Sequence, residues 1–266
     1  KNTGWEFDLR VDAIRSKDFT WTANANAYTN NNKFESFSND IYTGQDYYNT
    51  CTMANPGNPG PLQRIEVGKR IGNYFTFRYA GVSDDGDWLI YDKDNKVIPI
   101  ANGVEEDKTI TGNGLPKFNA ALTNNISWKN LDATISMRGA FGFEIFDVHD
   151  FYYGLQTRLG NLSSNAFRRN AKITHGSNVI SDYFIHKGDY WMIDAVSLSY
   201  TFNIKHKFID KVRLSGTANN LYTFTTFPGV DPSTYQVNGL TPGTFGGNIS
   251  YYPSAFQFIF GIHVDF

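Results

Sequence analysis

Long stretches of this sequence alternate between apolar residues and polar or small ones, and this pattern limits the possible folds more than any other feature. The stretch that begins at Trp5 continues with Phe7 and Leu9, and Glu6 and Asp8 lie between them. A period of two is typical of a β-strand, because successive side chains of a strand point to opposite faces of the sheet. Comparable patterns run through residues 4–15, 19–29, 115–128, 131–146, 190–203, 212–224 and 256–266. We therefore predict an all-β chain of antiparallel strands with one apolar face.

The connections between these stretches are of two kinds that alternate along the chain. Short ones at about 16–18, 129–130 and 204–211 are separated by very long ones at about 30–66 or beyond, 147–189 and 225–252. Outer-membrane barrels have short periplasmic turns and long extracellular loops, whereas soluble sandwiches rarely separate loop lengths in this way. The strands, at roughly 12 to 15 residues, also exceed the usual soluble length of about 5–6 and suffice to cross a bilayer. Both features favour a transmembrane β-barrel.

Composition agrees with this interpretation and excludes other classes of protein. The net charge of −2 argues against a nucleic-acid partner, and the single cysteine, Cys51, allows no intrachain disulfide. No run of 18 apolar residues exists, which argues against a transmembrane helix. Aromatic residues make up 16% of the chain. Several lie near the ends of predicted strands, where membrane-interface girdles belong: Trp5, Trp128, Trp191, Tyr200, Phe202 and Phe266.

The alternative fold is a soluble or surface-anchored β-sandwich that binds glycans. Alternation alone does not separate it from a barrel, since both have one apolar face on each strand. The two folds differ in what that face contacts. A sandwich buries it between two sheets, whereas a membrane barrel turns it towards lipid.

Strand direction predicts that the chain is part of a larger barrel. If the short turns are periplasmic, residues 30–114 must contain an even number of membrane crossings, and their candidates are the segments 70–82 and 87–100. The total is then seven or nine strands, whereas single-chain bacterial barrels have even numbers. We therefore expect residues 1–266 to be the C-terminal part of a barrel that begins on the extracellular side, with a plug and earlier strands outside this chain.

Five segments carry a resemblance to a known family. They are GNYFTFRYAGVSDDGDWLIYD, GNGLPKFNAALTNNISWKNLDATISMRGAFG, SDYFIHKGDYWMIDAVSLSYTFN, VRLSGTANNLYTFTTFPGVDPS and FIFGIHVDF. In this order, and over nearly the whole chain, they resemble the C-terminal half of SusC/RagA-like TonB-dependent outer-membrane transporters. The resemblance implies a barrel of about 22 strands with an N-terminal plug. It also implies energy coupling through TonB, a SusD-like lipoprotein lid, and import of oligosaccharides or peptides across the bacterial outer membrane.

Aromatic residues of the long connections are the candidates for contact with a cargo. Flat rings stack on sugar faces or peptide side chains, and neighbouring amides and carboxylates supply hydrogen bonds. The competing interpretation is that these rings pack the loops against one another or against a partner protein. The candidates are Trp88, Tyr91, Tyr152, Tyr153, Tyr183 and Tyr235, within a wider set that adds Tyr47, Tyr48, Phe151 and Phe184.

The final strand suggests a signal for barrel assembly. Its apolar row ends in an aromatic residue, which resembles the C-terminal signal that the barrel-assembly machinery recognises in outer-membrane strands. The residues of this row are Phe260, Ile262, Val264 and Phe266.

We predict no catalytic site, metal site or cofactor. The five histidines (His149, His175, His186, His206 and His263) are scattered and match no zinc or nucleophile motif. The stretches 83–87 and 92–96 resemble calcium loops, but the place of the bidentate glutamate after Asp92 is held by Gly103. Turn chemistry explains both stretches better. The charged residues expected on the lumen face, where they would form structural salt bridges, are Asp8, Arg10, Asp12, Arg138, Glu144 and Asp194.

Overall fold

A computed structural model describes residues 1–37, 44–53, 59–157, 160–176, 178–206, 208–234, 241–242 and 254–266. The strands in this part of the chain are β1 (Asn2–Thr3), β2 (Glu6–Arg15), β3 (Phe19–Thr29), β4 (Asn31–Asn32), β5 (Tyr47–Met53), β6 (Gly60–Glu66), β7 (Asn73–Thr76), β8 (Arg78–Val82), β9 (Trp88–Tyr91), β10 (Val97–Pro99), β11 (Thr109–Asn113), β12 (Phe118–Trp128), β13 (Leu131–Phe141), β14 (Glu144–Phe146), β15 (Ile185–Lys187), β16 (Tyr190–His206), β17 (Ile209–Thr225) and β18 (Gln257–Asp265). One helix, α1 (Val148–Tyr153), and 3-10 turns at Ile100–Asn102, Glu105–Asp107, Ser164–Phe167, Asp182–Phe184 and Pro232–Thr234 complete the described elements. None of the described helices is long and apolar enough to cross a membrane.

Seven long strands form one antiparallel sheet, which we call the wall. Their order is β18-β17-β16-β13-β12-β3-β2. The predicted fold class is confirmed, and the strand count is the lower of the two expected. The described strands between residues 30 and 117 belong to other sheets, of the orders β1-β4, β10-β9-β8 and β11-β7-β6-β5. The candidate segments 70–82 and 87–100 therefore add no strand to the wall.

Two predicted strand boundaries were wrong. The connection expected at 204–211 is mostly strand, because β16 extends to His206 and β17 starts at Ile209. The strand expected at 131–146 ends at Phe141, and Glu144–Phe146 forms a separate ribbon with β15. Gly142 explains this break, because its φ of 74° lies in the left-handed region that an extended strand does not use.

One face of the wall is apolar and exposed. A row of cross-strand partners runs from Phe7 through Ala27, Ala120 and Gly139 to Trp191 and Phe224. On the last strand Phe260 exposes 82% and Ile262 exposes 75% of its surface, and Leu198 in the middle of β16 exposes 52%. A sandwich would bury these rows between two layers. The exposure contradicts the sandwich alternative and fits a sheet whose apolar face meets lipid.

The opposite face of the wall is polar and carries ion pairs between strands. Arg138 Nε lies 3.2 Å from Asp194 Oδ2, and Arg213 Nη2 lies 3.1 Å from Asp132 Oδ2. This confirms the expected structural salt bridge of Arg138 and Asp194. Glu144 was wrongly expected on this face: it lies in β14, where its Oε2 accepts a hydrogen bond from the Asn113 backbone N–H at 2.8 Å.

The described residues of the long connections 44–117 and 142–189, which leave the same end of the wall, pack together. We use the term loop domain for the described residues of 44–117 and 142–189. Its small sheets and α1 surround an apolar cluster that continues into Tyr190, Met192 and Phe227. The largest fully buried side chains of the described chain lie in this domain: Trp88, Tyr74, Tyr152, Phe143, Phe146, Phe151, Phe184, Met53, Leu62, Ile90, Ile145 and Leu155. The wall has an exposed apolar face, whereas the loop domain has a core of its own.

Candidate functional site in the loop domain

Trp88 is at the centre of an aromatic cluster in the loop domain. It starts β9 after the turn at 83–87, and its ring centroid lies 5.8 Å from that of Tyr79, 5.5 Å from Tyr183 and 5.8 Å from Phe184. Trp88 and Phe184 are fully buried. Edge-to-face contacts at these distances are favourable for aromatic pairs. In this structure the ring of Trp88 contacts other loop residues and not solvent.

Helix α1 buries the next candidate, Tyr152. Asp147 caps the helix, because its carboxylate accepts a hydrogen bond from the Asp150 backbone N–H at 2.9 Å. The helix places Phe151 and Tyr152 inside the domain, where Tyr152 is 1% exposed. Tyr153, the next residue of the helix, is only half-buried and packs at the edge of the cluster.

A polar network next to the cluster fixes Tyr183. Its hydroxyl donates a hydrogen bond of 2.5 Å to Asn170 Oδ1, and Asn170 Nδ2 donates in turn to Asp150 Oδ1 at 3.1 Å. Arg169 lies with its guanidinium carbon 4.8 Å from the centre of the Tyr183 ring and its Nη1 3.7 Å from Asp150 Oδ2. Asp150 and Asn170 are almost completely buried. Buried polar groups that are paired in this way hold their side chains in one arrangement.

Titratable groups of this region are shifted by burial. Burial lowers the pKa of His186 to about 4, with a further lowering from Arg169 against the opposing effect of Asp150. Burial raises the pKa of Asp147, against the hydrogen bond from the Asp150 backbone. The pKa of Tyr183 is also raised, mainly by burial. His186 is therefore neutral near pH 7 beside the charged Arg169, whose Nη1 is 3.1 Å from His186 Nε2.

Other aromatic residues of the loops are accessible. Tyr47 exposes 47% and Tyr48 exposes 53% of its surface at the start of β5. Tyr91 is half-buried at the end of β9, with Arg78 5.4 Å from its ring centre. Of the six predicted contact residues, Tyr235 lies outside the described residues.

Sequence reasoning missed the polar network. Asp150, Asn170 and Arg169 belong to no motif, and their pairing depends on how α1 and the segment 164–174 fold over each other. Only Asp150 adjoins a predominantly aromatic stretch, at 151–153. Arg169 and Asn170 lie 14 and 13 positions before Tyr183, so their proximity to its ring has no local signal in the sequence.

The two calcium-like stretches are turns in the structure. Asp92 Oδ1 accepts hydrogen bonds from the backbone N–H groups of Asp94 at 2.9 Å and Lys96 at 2.8 Å. In the other stretch, the Gly86 N–H donates to the Ser83 carbonyl. A search of the described residues finds no group of three or more His, Cys, Asp or Glu side chains that could hold a metal ion.

The last strand lies at one edge of the wall, where β18 pairs with β17. Phe260 and Ile262 lie on the apolar face, opposite Gly216 and Leu214, and Val264 lies opposite Val212. Phe266 follows the strand and exposes 92% of its surface. The row that was predicted as an assembly signal is thus continuous with the apolar face, and its role as a signal stays a prediction.

Wall and loop domain together define a class of protein. A single antiparallel sheet with an exposed apolar face, a polar face with ion pairs, and loops of strongly unequal length is the architecture of outer-membrane β-barrels. Comparison with solved structures agrees. The chain superposes on the structure titled "Structure of the RagAB peptide transporter" with a TM-score of 0.73 and 19% identity, over 99% of this chain and 29% of that one. For the RagAB peptide importer in the "closed-closed" state the TM-score is 0.73 at 18% identity, with the same coverage.

Sequence comparison gives the more specific relation. The chain is 26% identical to TonB-dependent receptor P3 of Formosa agariphila and 24% identical to TonB-dependent receptor SusC of Bacteroides thetaiotaomicron, in each case over its full length. It spans 29% and 26% of those two proteins, respectively. No family model matches it. The chain is therefore homologous to part of the TonB-dependent receptors, which are β-barrel proteins of the outer membrane.

Proposed function

We propose that this chain is part of the barrel of a TonB-dependent importer, which moves oligosaccharides or peptides across the bacterial outer membrane together with a SusD-like lipoprotein. The observation that carries the proposal is the exposed apolar face of the wall, combined with a packed loop domain at the end where the long connections lie. The names of the similar proteins support it, since they include a SusC receptor and a RagAB peptide transporter.

In this proposal the loop domain contacts the cargo through its accessible tyrosines. Tyr91, Tyr153 and Tyr183 are half-buried, and Tyr47 and Tyr48 are more exposed. Tyr235, which lies outside the described residues, stays a candidate for cargo contact on its sequence position alone. Trp88 and Tyr152 do not contact the cargo in this proposal. Their buried rings hold the segments that carry the accessible tyrosines in place.

The partners follow from the same proposal. Strands β2 and β18 are the edges of the wall, and further strands of the barrel would pair with their backbone groups, because unpaired groups at a sheet edge are costly in lipid. The polar face of the wall would contact a plug, and TonB would act through a segment outside this chain. A lipoprotein lid would cover the loop domain.

Uptake by whole cells tests the function and the cargo class together. A strain with the intact receptor and a strain that lacks it are fed equal pools of oligosaccharides and peptides, and depletion of each compound is followed by mass spectrometry. We expect the deletion, and equally a deletion of TonB, to stop depletion of one of the two pools. Equal depletion of both pools by all strains would contradict the proposal.

A matched pair of variants tests the tyrosines. Tyr47→Ala combined with Tyr48→Ala removes two exposed rings, whereas Val97→Ala changes an apolar residue of the same domain with a similar exposure of 52%. We expect the double variant to slow uptake roughly tenfold, given about 1–3 kcal/mol for stacked aromatic contacts. Val97→Ala is expected to have no effect. Unchanged uptake in the tyrosine variant would show that Tyr47 and Tyr48 do not contribute to cargo binding.

A further inference from the structure

A groove lies at the loop end of the apolar face of the wall. Four aromatic residues of the apolar face line it, and its volume is about 660 Å³. Phe141 and Trp191 stack with ring centroids 6.3 Å apart, and Tyr222 and Phe224 expose 58% and 54% of their surfaces. Gly139 permits this arrangement, because a side chain at that position would collide with the Trp191 ring and the Tyr190 carbonyl. These four aromatic residues form what we call the aromatic floor of the groove. The floor belongs to the apolar face and therefore faces the membrane side of the sheet.

Cationic groups lie directly beyond this floor. A second depression of about 380 Å³ shares Lys187 and Thr226 with the groove and is lined further by Arg169, His186 and Pro228. Lys187 is exposed and forms no side-chain ion pair or hydrogen bond with the described residues. The side chain of Arg169 is 33% exposed, and its Nη1 lies 3.7 Å from the buried Asp150 Oδ2.

The one carboxylate of the groove is already engaged. Asp189 Oδ1 accepts a hydrogen bond of 2.6 Å from the Gly142 backbone N–H. His186 is neutral near pH 7 and adds no charge of its own. The depression next to the aromatic floor therefore presents Lys187, together with the exposed part of Arg169, which also lies beside Asp150, to an anionic group.

An apolar aromatic surface followed by cationic side chains fits an amphiphilic ligand better than a soluble cargo. A hydrocarbon chain matches the aromatic floor, and an anionic head at the membrane surface matches the two cations, since basic residues near the surface attract anionic lipids. A cargo that passes through the lumen would contact the polar face of the wall. Trp191 and Phe224 lie on the apolar face, in one row with Gly139.

We propose that this groove binds a phosphorylated lipid of the outer leaflet, with an acyl chain against Trp191 and Phe224 and the phosphate between Lys187 and Arg169. The inference rests on the outer-membrane placement in the proposed function, but not on transport. Phosphate is the preferred anion because Lys187 supplies a point charge and the Arg169 guanidinium has further N–H groups beyond those that contact His186 Nε2 and the Tyr183 carbonyl.

Native mass spectrometry of the complete receptor in detergent tests the proposal. The protein is titrated with dioleoyl phosphatidic acid and with dioleoylglycerol, which differ only in the phosphate. We expect Lys187→Gln to weaken binding of phosphatidic acid about fivefold and to leave binding of dioleoylglycerol unchanged. Phe224→Ala should weaken binding of both lipids. Lys129→Gln is the matched control, because Lys129 lies at the opposite end of the same sheet.

Two outcomes of the binding test overturn the proposal. Equal binding of phosphatidic acid by the native protein and by Lys187→Gln would show that the phosphate does not bind at Lys187. If inorganic phosphate alone binds with the same dependence on Lys187, and Phe224→Ala changes nothing, the groove is a site for free anions. Because no step of the test requires uptake, a receptor that binds the lipid but imports neither cargo class would contradict only the proposed function.

Discussion

The wall and the loop domain use the same residue types in opposite environments. Trp128, at the end of β12, exposes 55% of its surface, whereas Trp88 in the loop domain is fully buried. In the wall, each strand between the edge strands β2 and β18 satisfies its backbone hydrogen bonds through its two neighbours, and the apolar side chains face outward. In the loop domain, burial of aromatic side chains away from water supplies the stability. One chain therefore depends on lipid in one region and on a conventional core in the other.

The difference shows what decides the environment of an aromatic residue. In the wall, strict alternation over about eleven residues sends every second side chain to lipid. In the loop domain the strands are short, and residues from segments far apart in the sequence surround each ring. Hydrophobicity alone predicts neither outcome.

The largest expected effect belongs to the core of the loop domain. Trp88→Ala should destabilise this domain by about 3–5 kcal/mol, because a fully buried ring with three aromatic neighbours is lost. Protease digestion of intact cells is expected to cleave the loops faster, while the barrel keeps its heat-dependent mobility on gels. Trp128→Ala is the control in the wall and should leave loop cleavage unchanged. If protease cleaved the loops equally fast in both variants, the two tryptophans would not differ in their contribution to the loop domain, and the distinction between buried and lipid-facing rings would be wrong.

A charge on the apolar face of the wall should have the next largest effect. Leu198→Arg is expected to cost about 2–4 kcal/mol, the range for arginine facing lipid at the bilayer midplane. Asn125→Arg is the matched control. Ile126 pairs with Ala133, which pairs with Leu198, so these three residues lie at the same depth on the apolar face. Asn125 is the neighbour of Ile126 in the strand and therefore faces the polar side at nearly the same depth. Urea unfolding in lipid vesicles would measure both. A larger loss for Asn125→Arg would reverse the assignment of the two faces.

Acid should destabilise the loop domain through His186. Because burial lowers the pKa of His186 to about 4, the unfolded chain binds a proton between pH 6.5 and about 4 that the folded domain does not. Its contribution is complete above pH 6.5 and is lost as the pH falls, by about 1–2 kcal/mol after allowance for solvent screening at this half-buried group. Thermal unfolding of the loop domain should show this slope, and His186→Gln should flatten it. Retention of the full slope in the variant would contradict its assignment to His186, and Asp147 would not explain it, because its raised pKa makes the folded domain more stable as the pH falls.

The smallest effect is expected at a turn of the wall. Lys129 has a φ of 55°, a left-handed conformation that glycine adopts without strain. Lys129→Gly should therefore stabilise the hairpin of β12 and β13 by up to about 1 kcal/mol, because the relieved strain of about 1–2 kcal/mol exceeds the conformational entropy that glycine loses on folding. The unfolding midpoint in urea would report it, and Asn130→Gly, at the neighbouring turn position that has no positive φ, should give no gain. A loss of stability at Lys129→Gly would mean that its side chain contributes more than the backbone strain costs.

Much of the wall was predictable from the sequence, and much of the loop domain was not. The alternation around Phe7 and Leu9 and the unequal loops predicted the sheet and its two faces, because a period of two places successive side chains on opposite faces, but they left open whether residues 30–114 add strands to it. The separation of β14 from β13 was missed, because it depends on one glycine conformation at Gly142. The burial of Trp88 was left open, since it depends on contacts with Tyr183 and Phe184, almost a hundred positions away. Long-range packing of this kind has no local sequence signature.

The row of small residues on the apolar face gives the outside of the barrel its shape. Ala27, Ala120 and Gly139 are adjacent partners on three neighbouring strands, between the bulky Phe7 on one side and Trp191 on the other. Fatty-acyl chains come closest to the peptide backbone where side chains are shortest. The exterior is therefore concave at Ala27 and Ala120, and lipid tails fill a shallow channel between Phe7 and the Trp191 ring, which covers Gly139.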